Sequence, residues 1–319
     1  MVNGIMLGMR RTILVIVTLA LVAVGVWFLA HQGGTQSAAP VTRGVQGRVL
    51  QVVAAENFWG SLVSQIGGAH VQVRSIVSAP NEDPHEYESS ASDARAVAQA
   101  DYVIENGAGY DSWMGKLLGA GANPHRKVLD VATFLGKHEG DNPHFWYDPS
   151  YVNEVSGRME QDLAALDPAD ASYFAARYAA LKNNLAGYQQ RIAAIKAQFG
   201  GTKVAATEDI FAYLAQAAGL DLVSPPAFTQ AVAEGNDPPA SSIVAFQNQL
   251  RSGTVRMLVY NEQTVTPLTD SIKTLAAQEG IPVVAITETI QPPTMSFEDW
   301  MNAEVAAMQR ALGGRTNGQ

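Results

Sequence analysis

Short runs of β-branched and apolar residues alternate with amphipathic stretches along this chain, and one helical segment of about 30 residues interrupts the alternation midway. Before it, strand signals fall at Val49–Ala54, Val71–Val77, Tyr102–Ile104 and Lys127–Val131, with helical signals at Phe58–Ile66, Ser92–Ala100 and Tyr110–Leu118. After it come strands at Lys203–Ala206, Val255–Tyr260 and Pro282–Ile286, separated by helices at Asp209–Ala218, Ser241–Leu250 and Leu268–Gln278. Strand–helix–strand repetition implies parallel pairing, because the helix must cross over the sheet before the next strand begins. A chain of 319 residues has room for about two such units.

The expected fold class is α/β: two lobes with mainly parallel sheets joined by a long backbone helix, preceded by an N-terminal apolar helix. Asp167-Pro168 restarts the chain after the helical stretch Tyr151–Leu166, and Gly200-Gly201 ends the long helix at Phe199. Its apolar residues Phe174, Tyr178, Leu181, Leu185, Tyr188 and Ile192 form one stripe, and about 30 residues at 1.5 Å each reach roughly 45 Å, enough to bridge two lobes. The expected boundaries are an N-terminal lobe at 49–150, linking helices at 151–199 and a C-terminal lobe at 200–315. Ser296-x-x-Asp299 opens the final helix in the manner of a capping box.

Arg10 and Arg11 precede an apolar run from Ile13 to Ala30. Its length lies between a signal-peptide core and a full membrane span, so residues 1–31 read as a signal peptide or a transmembrane anchor. Residues 32–48 read as a flexible linker of small and polar residues. The arginines orient the remainder outward, which places it outside the cytoplasmic membrane, anchored or secreted. The formal net charge of -9 offers no basic surplus for phosphates and argues against nucleic acid as a partner. Cysteine is absent, which excludes disulfides, thiolate metal sites and a lipid carried on an N-terminal cysteine. Any metal site in this chain must use imidazole or oxygen donors.

Six histidines are present, and two stand in matching contexts. Asp83-Pro84-His85-Glu86-Tyr87-Glu88 follows the Val71–Val77 strand, and Pro143-His144-Phe145-Trp146-Tyr147-Asp148-Pro149 closes the first set of strands. Loops at the carboxyl ends of parallel strands build ligand sites. The aromatic run after His144 would wall off water, and Asp148-Pro149 doubles as a helix start. His31 sits in the linker, His70 just before a strand, and His125 and His138 in polar loop sequence, with no such context. The second set of strands ends in carboxylates: Glu208 after Lys203–Ala206, Glu262 after Val255–Tyr260 and Glu288 after Pro282–Ile286. A carboxylate at a helix start also serves simply to meet the helix dipole.

Taken in order, these motifs resemble those of the metal-binding subunits of bacterial ABC importers for manganese, zinc or iron, the cluster A-I (cluster 9) solute-binding proteins. The resemblance runs from about Leu50 to Leu312. It rests on Asp83–Glu88, on Pro143–Pro149, on Thr207-Glu208-Asp209-Ile210-Phe211-Ala212-Tyr213 and on Thr287-Glu288-Thr289. It implies a site of His85, His144, Glu208 and Glu288 in the cleft between lobes, with Glu262 as the alternative to Glu288. It further implies one divalent metal ion as cargo, an ABC permease with its ATPase subunit as partner, and a monomer that catalyses nothing. Two imidazoles with two carboxylates form a neutral site around a dication. This donor set is harder than three histidines, and bidentate carboxylates would also raise the coordination number; both features favour Mn²⁺, with Zn²⁺ close behind and Fe²⁺ third. A metal-dependent hydrolase and a surface adhesion protein on the same fold are the competing expectations.

Overall fold

The computed structural model describes residues 48–314, apart from Asn81, Asp83, Ala122 and the side chain of Glu86. The apolar run and most of the linker therefore lie outside the described residues. Among the described residues, no helix is long and apolar enough to cross a membrane.

The first lobe runs β1 (Leu50–Glu56), α1 (Asn57–Gly67), β2 (Val71–Val77), α2 (Ala91–Gln99), β3 (Tyr102–Glu105), α3 (Ser112–Ala120), β4 (Lys127–Asp130) and the short α4 (Val131–Phe134). Its four strands pair in parallel in the order β2-β1-β3-β4. Two helices follow, α5 (Pro149–Leu166) and α6 (Ala171–Phe199). The second lobe runs β5 (Lys203–Ala206), α7 (Ala212–Ala217), β6 (Asp221–Leu222), α8 (Pro226–Ala233), α9 (Ala240–Arg251), β7 (Leu258–Asn261), α10 (Pro267–Gln278), β8 (Val283–Ile286) and α11 (Phe297–Gly314). Its strands also pair in parallel, in the equivalent order β6-β5-β7-β8. In each sheet the chain reverses its direction of winding beside the first strand, which opens a crevice at the strands' carboxyl ends.

Alternate residues of each strand serve different cores. Val52 and Ala54 of β1, Val204 and Ala206 of β5, and Val259 of β7 face a core shared by both lobes. Val53 and Ala55 instead pack with Val97, Val103 and Trp113 on the outer face of the first lobe. Ala205 and Leu258 pack with Phe228, Phe246 and Ile272 on the outer face of the second. Period-2 alternation in a sheet covered on both faces produces this division. The shared core follows α6, whose Phe174, Leu181, Leu185, Tyr188, Ile192 and Ile195 are buried against α1, α5 and α11. Tyr178 lies at the margin of the stripe, half-buried, with its hydroxyl donating to the Asn153 carbonyl at 3.4 Å.

Three elements escape the pattern read from sequence. α4 has only four residues and β6 only two, too few for a periodic signal, and α8 begins at Pro226 in a stretch for which no element is expected. The strand expected from Val255 starts at Leu258, and the helix expected from Tyr110 starts at Ser112, which leaves Tyr110 in the preceding loop.

Candidate metal site

His85 lies in a 3-10 turn, Pro84–Glu86, beyond the end of β2. The turn is pinned by Trp113, whose indole N–H donates to the Pro84 carbonyl at 3.1 Å. His144 is fully buried, directly before the 3-10 turn Phe145–Tyr147. The aromatic run behind it forms a dry wall: Phe145, Trp146 and Tyr147 are all buried, and Trp146 stacks on Phe58 at 4.0 Å. Asp148 acts as the cap of α5, accepting from the Ser150 N–H at 2.8 Å.

The imidazole of His144 is oriented by Asn142. Its Nδ1 stands 2.8 Å from Asn142 Oδ1, a pure acceptor, so Nδ1 carries the proton and Nε2 presents its lone pair. Nε2 faces Glu288, 3.5 Å from its Oε2. His85, His144 and Glu288 each offer a ligand atom, and these atoms lie within 4.8 Å of one another. The His85 and His144 ring centroids are 6.0 Å apart. Here the fold has brought loops after β2 and β4 of one sheet to the loop after β8 of the other.

Glu208 and Glu288 are both buried. Glu208 occupies the cap position of the 3-10 turn Asp209–Phe211, but its side chain makes no capping bond. Its Oε2 instead accepts from Asn261 Nδ2 at 3.2 Å, and the same amide nitrogen donates to Glu288 Oε1 at 2.8 Å. Glu208 is thus tied to Glu288 through Asn261, one step back from the three-residue group. Glu262, the alternative to Glu288, stands elsewhere. It is exposed and borders a separate hollow with Pro80, Tyr260 and Lys273. The physical reason is strand alternation: Asn261 ends β7 facing the cleft, so its neighbour faces away.

Besides Asn142, three participants are not singled out by the sequence. Tyr110 donates its hydroxyl to Glu288 Oε2 at 2.8 Å and sets its ring 4.4 Å from that of His85. The backbone delivers it through three consecutive left-handed residues, Gly107, Ala108 and Gly109, with φ of 77°, 53° and 87°. At Gly107 a Cβ would fall 2.4 Å from Asp130 Oδ1, so that position needs glycine for space as well as for φ. The run Asn106-Gly107-Ala108-Gly109 directly after β3 was the signal available. Asn261 is the second. Asp209 is the third, with Oδ1 3.5 Å from His144 Nδ1. It is adjacent to Glu208 in sequence and faces the imidazole's other edge.

Burial pushes the Glu288 carboxyl up, but His144, His85 and the Tyr110 hydroxyl outweigh it and hold Glu288 below the usual carboxylate range. Asp209 moves the other way, raised by its burial despite the nearby His144. A hollow of about 570 Å³ is bordered by His85, Tyr110, Asn142, His144 and Asp209. A second of about 680 Å³ is bordered by His85, Glu234, Asp237 and Gln263.

Two parallel α/β lobes in series with a long helix, meeting at convergent imidazoles and carboxylates, define an extracytoplasmic solute-binding component of a metal importer. The family model described as "Zinc-uptake complex component A periplasmic" matches residues 52–311, and the chain belongs to that family. "Manganese-binding lipoprotein MntA" of Halalkalibacterium halodurans is 28% identical over 218 residues, covering 66% of this chain and 68% of that protein. "Manganese ABC transporter substrate-binding lipoprotein PsaA" of Streptococcus anginosus is 26% identical over 159 residues, 46% of this chain and 49% of that protein. Among solved structures, the periplasmic zinc-binding protein TroA of Treponema pallidum shares the fold with a TM-score of 0.68 at 18% identity, over 83% of this chain and 99% of that one. The family and these relatives carry the names of metal-uptake, metal-binding and transporter substrate-binding proteins, not of enzymes, and this protein is not an enzyme.

Proposed function

We propose that the protein captures one divalent transition-metal ion, Mn²⁺ or Zn²⁺, between its lobes and delivers it to an ABC permease driven by a separate ATPase subunit. His85, His144, Glu208 and Glu288 hold the ion. It works as a monomer, with the segment before residue 48 serving either as its membrane anchor or as an export signal. The observation that carries this reading is the convergence of His85, His144 and Glu288, drawn from both lobes, with ligand atoms within 4.8 Å of one another. Two neutral imidazoles and two carboxylates cancel the charge of a dication, which a buried site requires. Asn142 supports the reading by fixing the His144 tautomer that binds through Nε2.

Elemental analysis of the purified protein, combined with competitive Mn²⁺ and Zn²⁺ titration, tests it. One ion per chain is expected, lost in His85→Ala/His144→Ala while the far-UV spectrum stays unchanged. Unaltered metal stoichiometry in that double variant would falsify the assignment.

A further inference from the structure

The side chain of Asn261 occupies an unusual place. It ends β7, the strand hydrogen-bonded to β5 on one side and to β8 on the other. Glu208 and Glu288 each sit two residues beyond those flanking strands. Register aligns Ala206 with Val259 and Ile286 with Asn261. The middle strand therefore projects its last side chain between the two carboxylates. Asn261 is buried. Its amide orientation is set by the backbone, because Oδ1 accepts from the Gln263 N–H at 3.0 Å. That leaves Nδ2 facing Glu208 Oε2 at 3.2 Å, Glu288 Oε1 at 2.8 Å and Thr264 Oγ1 at 3.1 Å.

We propose that Asn261 sets the metal preference of the cleft by engaging one oxygen of each carboxylate, so that Glu208 and Glu288 each offer the ion a single oxygen. This rests on the assignment of those two residues as ligands. A carboxylate chelates a metal through both oxygens only when both turn toward it. Here the amide draws Glu208 Oε2 and Glu288 Oε1 to itself. The other oxygen of Glu288, Oε2, is the one that stands 3.5 Å from His144 Nε2, and Tyr110 holds it there at 2.8 Å. Two imidazole nitrogens and two single carboxylate oxygens make a four-coordinate set. Zn²⁺ accepts four ligands readily, whereas Mn²⁺ favours six, rich in oxygen. Chelation by both carboxylates would raise the coordination number toward the six that Mn²⁺ favours, and Asn261 opposes that. The site is accordingly tuned toward Zn²⁺. Asn261 is a positioning residue that touches no metal itself.

Coordination number can be read directly by loading the protein with Co²⁺, whose visible absorption is intense when four-coordinate and weak when five- or six-coordinate. The wild-type protein is expected to give the intense spectrum and to retain Zn²⁺ over Mn²⁺ in competition. Asn261→Ala is expected to bind one ion per chain still, with the Co²⁺ absorption falling several-fold. Its Zn²⁺-to-Mn²⁺ affinity ratio should drop by about 10–100-fold, the range typical for partners that orient a ligand. A weak wild-type Co²⁺ spectrum overturns the proposal even if the variant fails to fold. So does an affinity ratio unchanged in folded Asn261→Ala. Wild-type protein that binds no metal would instead remove the site assignment on which the proposal stands.

Discussion

At the scale of single residues, the cleft works through side chains that aim other side chains. Asn142 is the clearest case. Its carbonyl oxygen accepts from both the backbone N–H of His144 at 3.0 Å and the ring Nδ1 at 2.8 Å, fixing the imidazole along two directions. Asn142→Ala removes both bonds and leaves His144 free to rotate or to take the other tautomer. Metal affinity in this variant should fall by about 10–100-fold with the stoichiometry of one retained, measured by competition against a chelator of known affinity. The imidazoles also set the response to acid. Protons compete with the ion for the same lone pairs, so affinity should decline steadily as pH is lowered below about 6. A titration flat across that range would contradict histidine ligation. The histidines were legible in sequence because each stands in a longer loop motif after the strands, Asp83–Glu88 and Pro143–Pro149, whereas the Pro-His pair at Pro124-His125 has no such context. Tyr110 was not, since it was read as the start of α3, and its reach toward Glu288 depends on the left-handed loop before it.

At the scale of elements, α6 and α11 carry the interface between lobes. Leu185 lies in the middle of the α6 stripe and is fully buried in the shared core. Leu185→Ala leaves a cavity there and should destabilise the protein by about 2–5 kcal/mol in urea unfolding. From α11, Glu304 reaches Tyr147 of the first lobe, accepting from its hydroxyl at 2.8 Å, and also accepts from the Thr287 N–H at 3.1 Å. Burial pushes this carboxyl up to about 8 from an ordinary value of 4.5, and the hydrogen bonds it accepts offset only part of that. The raised value means that the folded state holds a proton the unfolded chain releases. This contribution to stability is complete below about pH 4.5 and is lost as pH rises through about 8. Glu304→Gln keeps the shape and cannot ionise, so its unfolding free energy should vary less than that of the wild type across this window. Equilibrium denaturation at several pH values checks this; parallel profiles would show that the proton is held elsewhere.

For the molecule as a whole, both sheets present their carboxyl ends to one cleft while sharing a single core along α6. Opening the lobes widely would break that core, so capture of an ion should involve small movements. The wild-type protein should show no resolvable change in radius of gyration on metal binding, measured by X-ray scattering. Binding to the folded state alone should still raise its stability, by about 2.7 kcal/mol when free metal is a hundredfold above the dissociation constant. His85→Ala/His144→Ala should lack this increment in thermal melts.

The amino-acid sequence by itself determined the βα alternation, the long bridging helix and the loop motifs that bear His85, His144, Glu208 and Glu288. These are local properties: strand and helix periods, proline and glycine punctuation, and short spacings that survive without knowledge of the neighbours. Only the tertiary structure decided what each side chain faces. It set Glu288 rather than Glu262 beside His144, because a strand turns successive residues to opposite faces. It placed Asn261 between two carboxylates that lie 53 and 27 residues away from it in sequence, because parallel pairing sets β7 between β5 and β8. Strand order is fixed by burial on both faces of the sheet at once, a sum over contacts distant in sequence that no local pattern records.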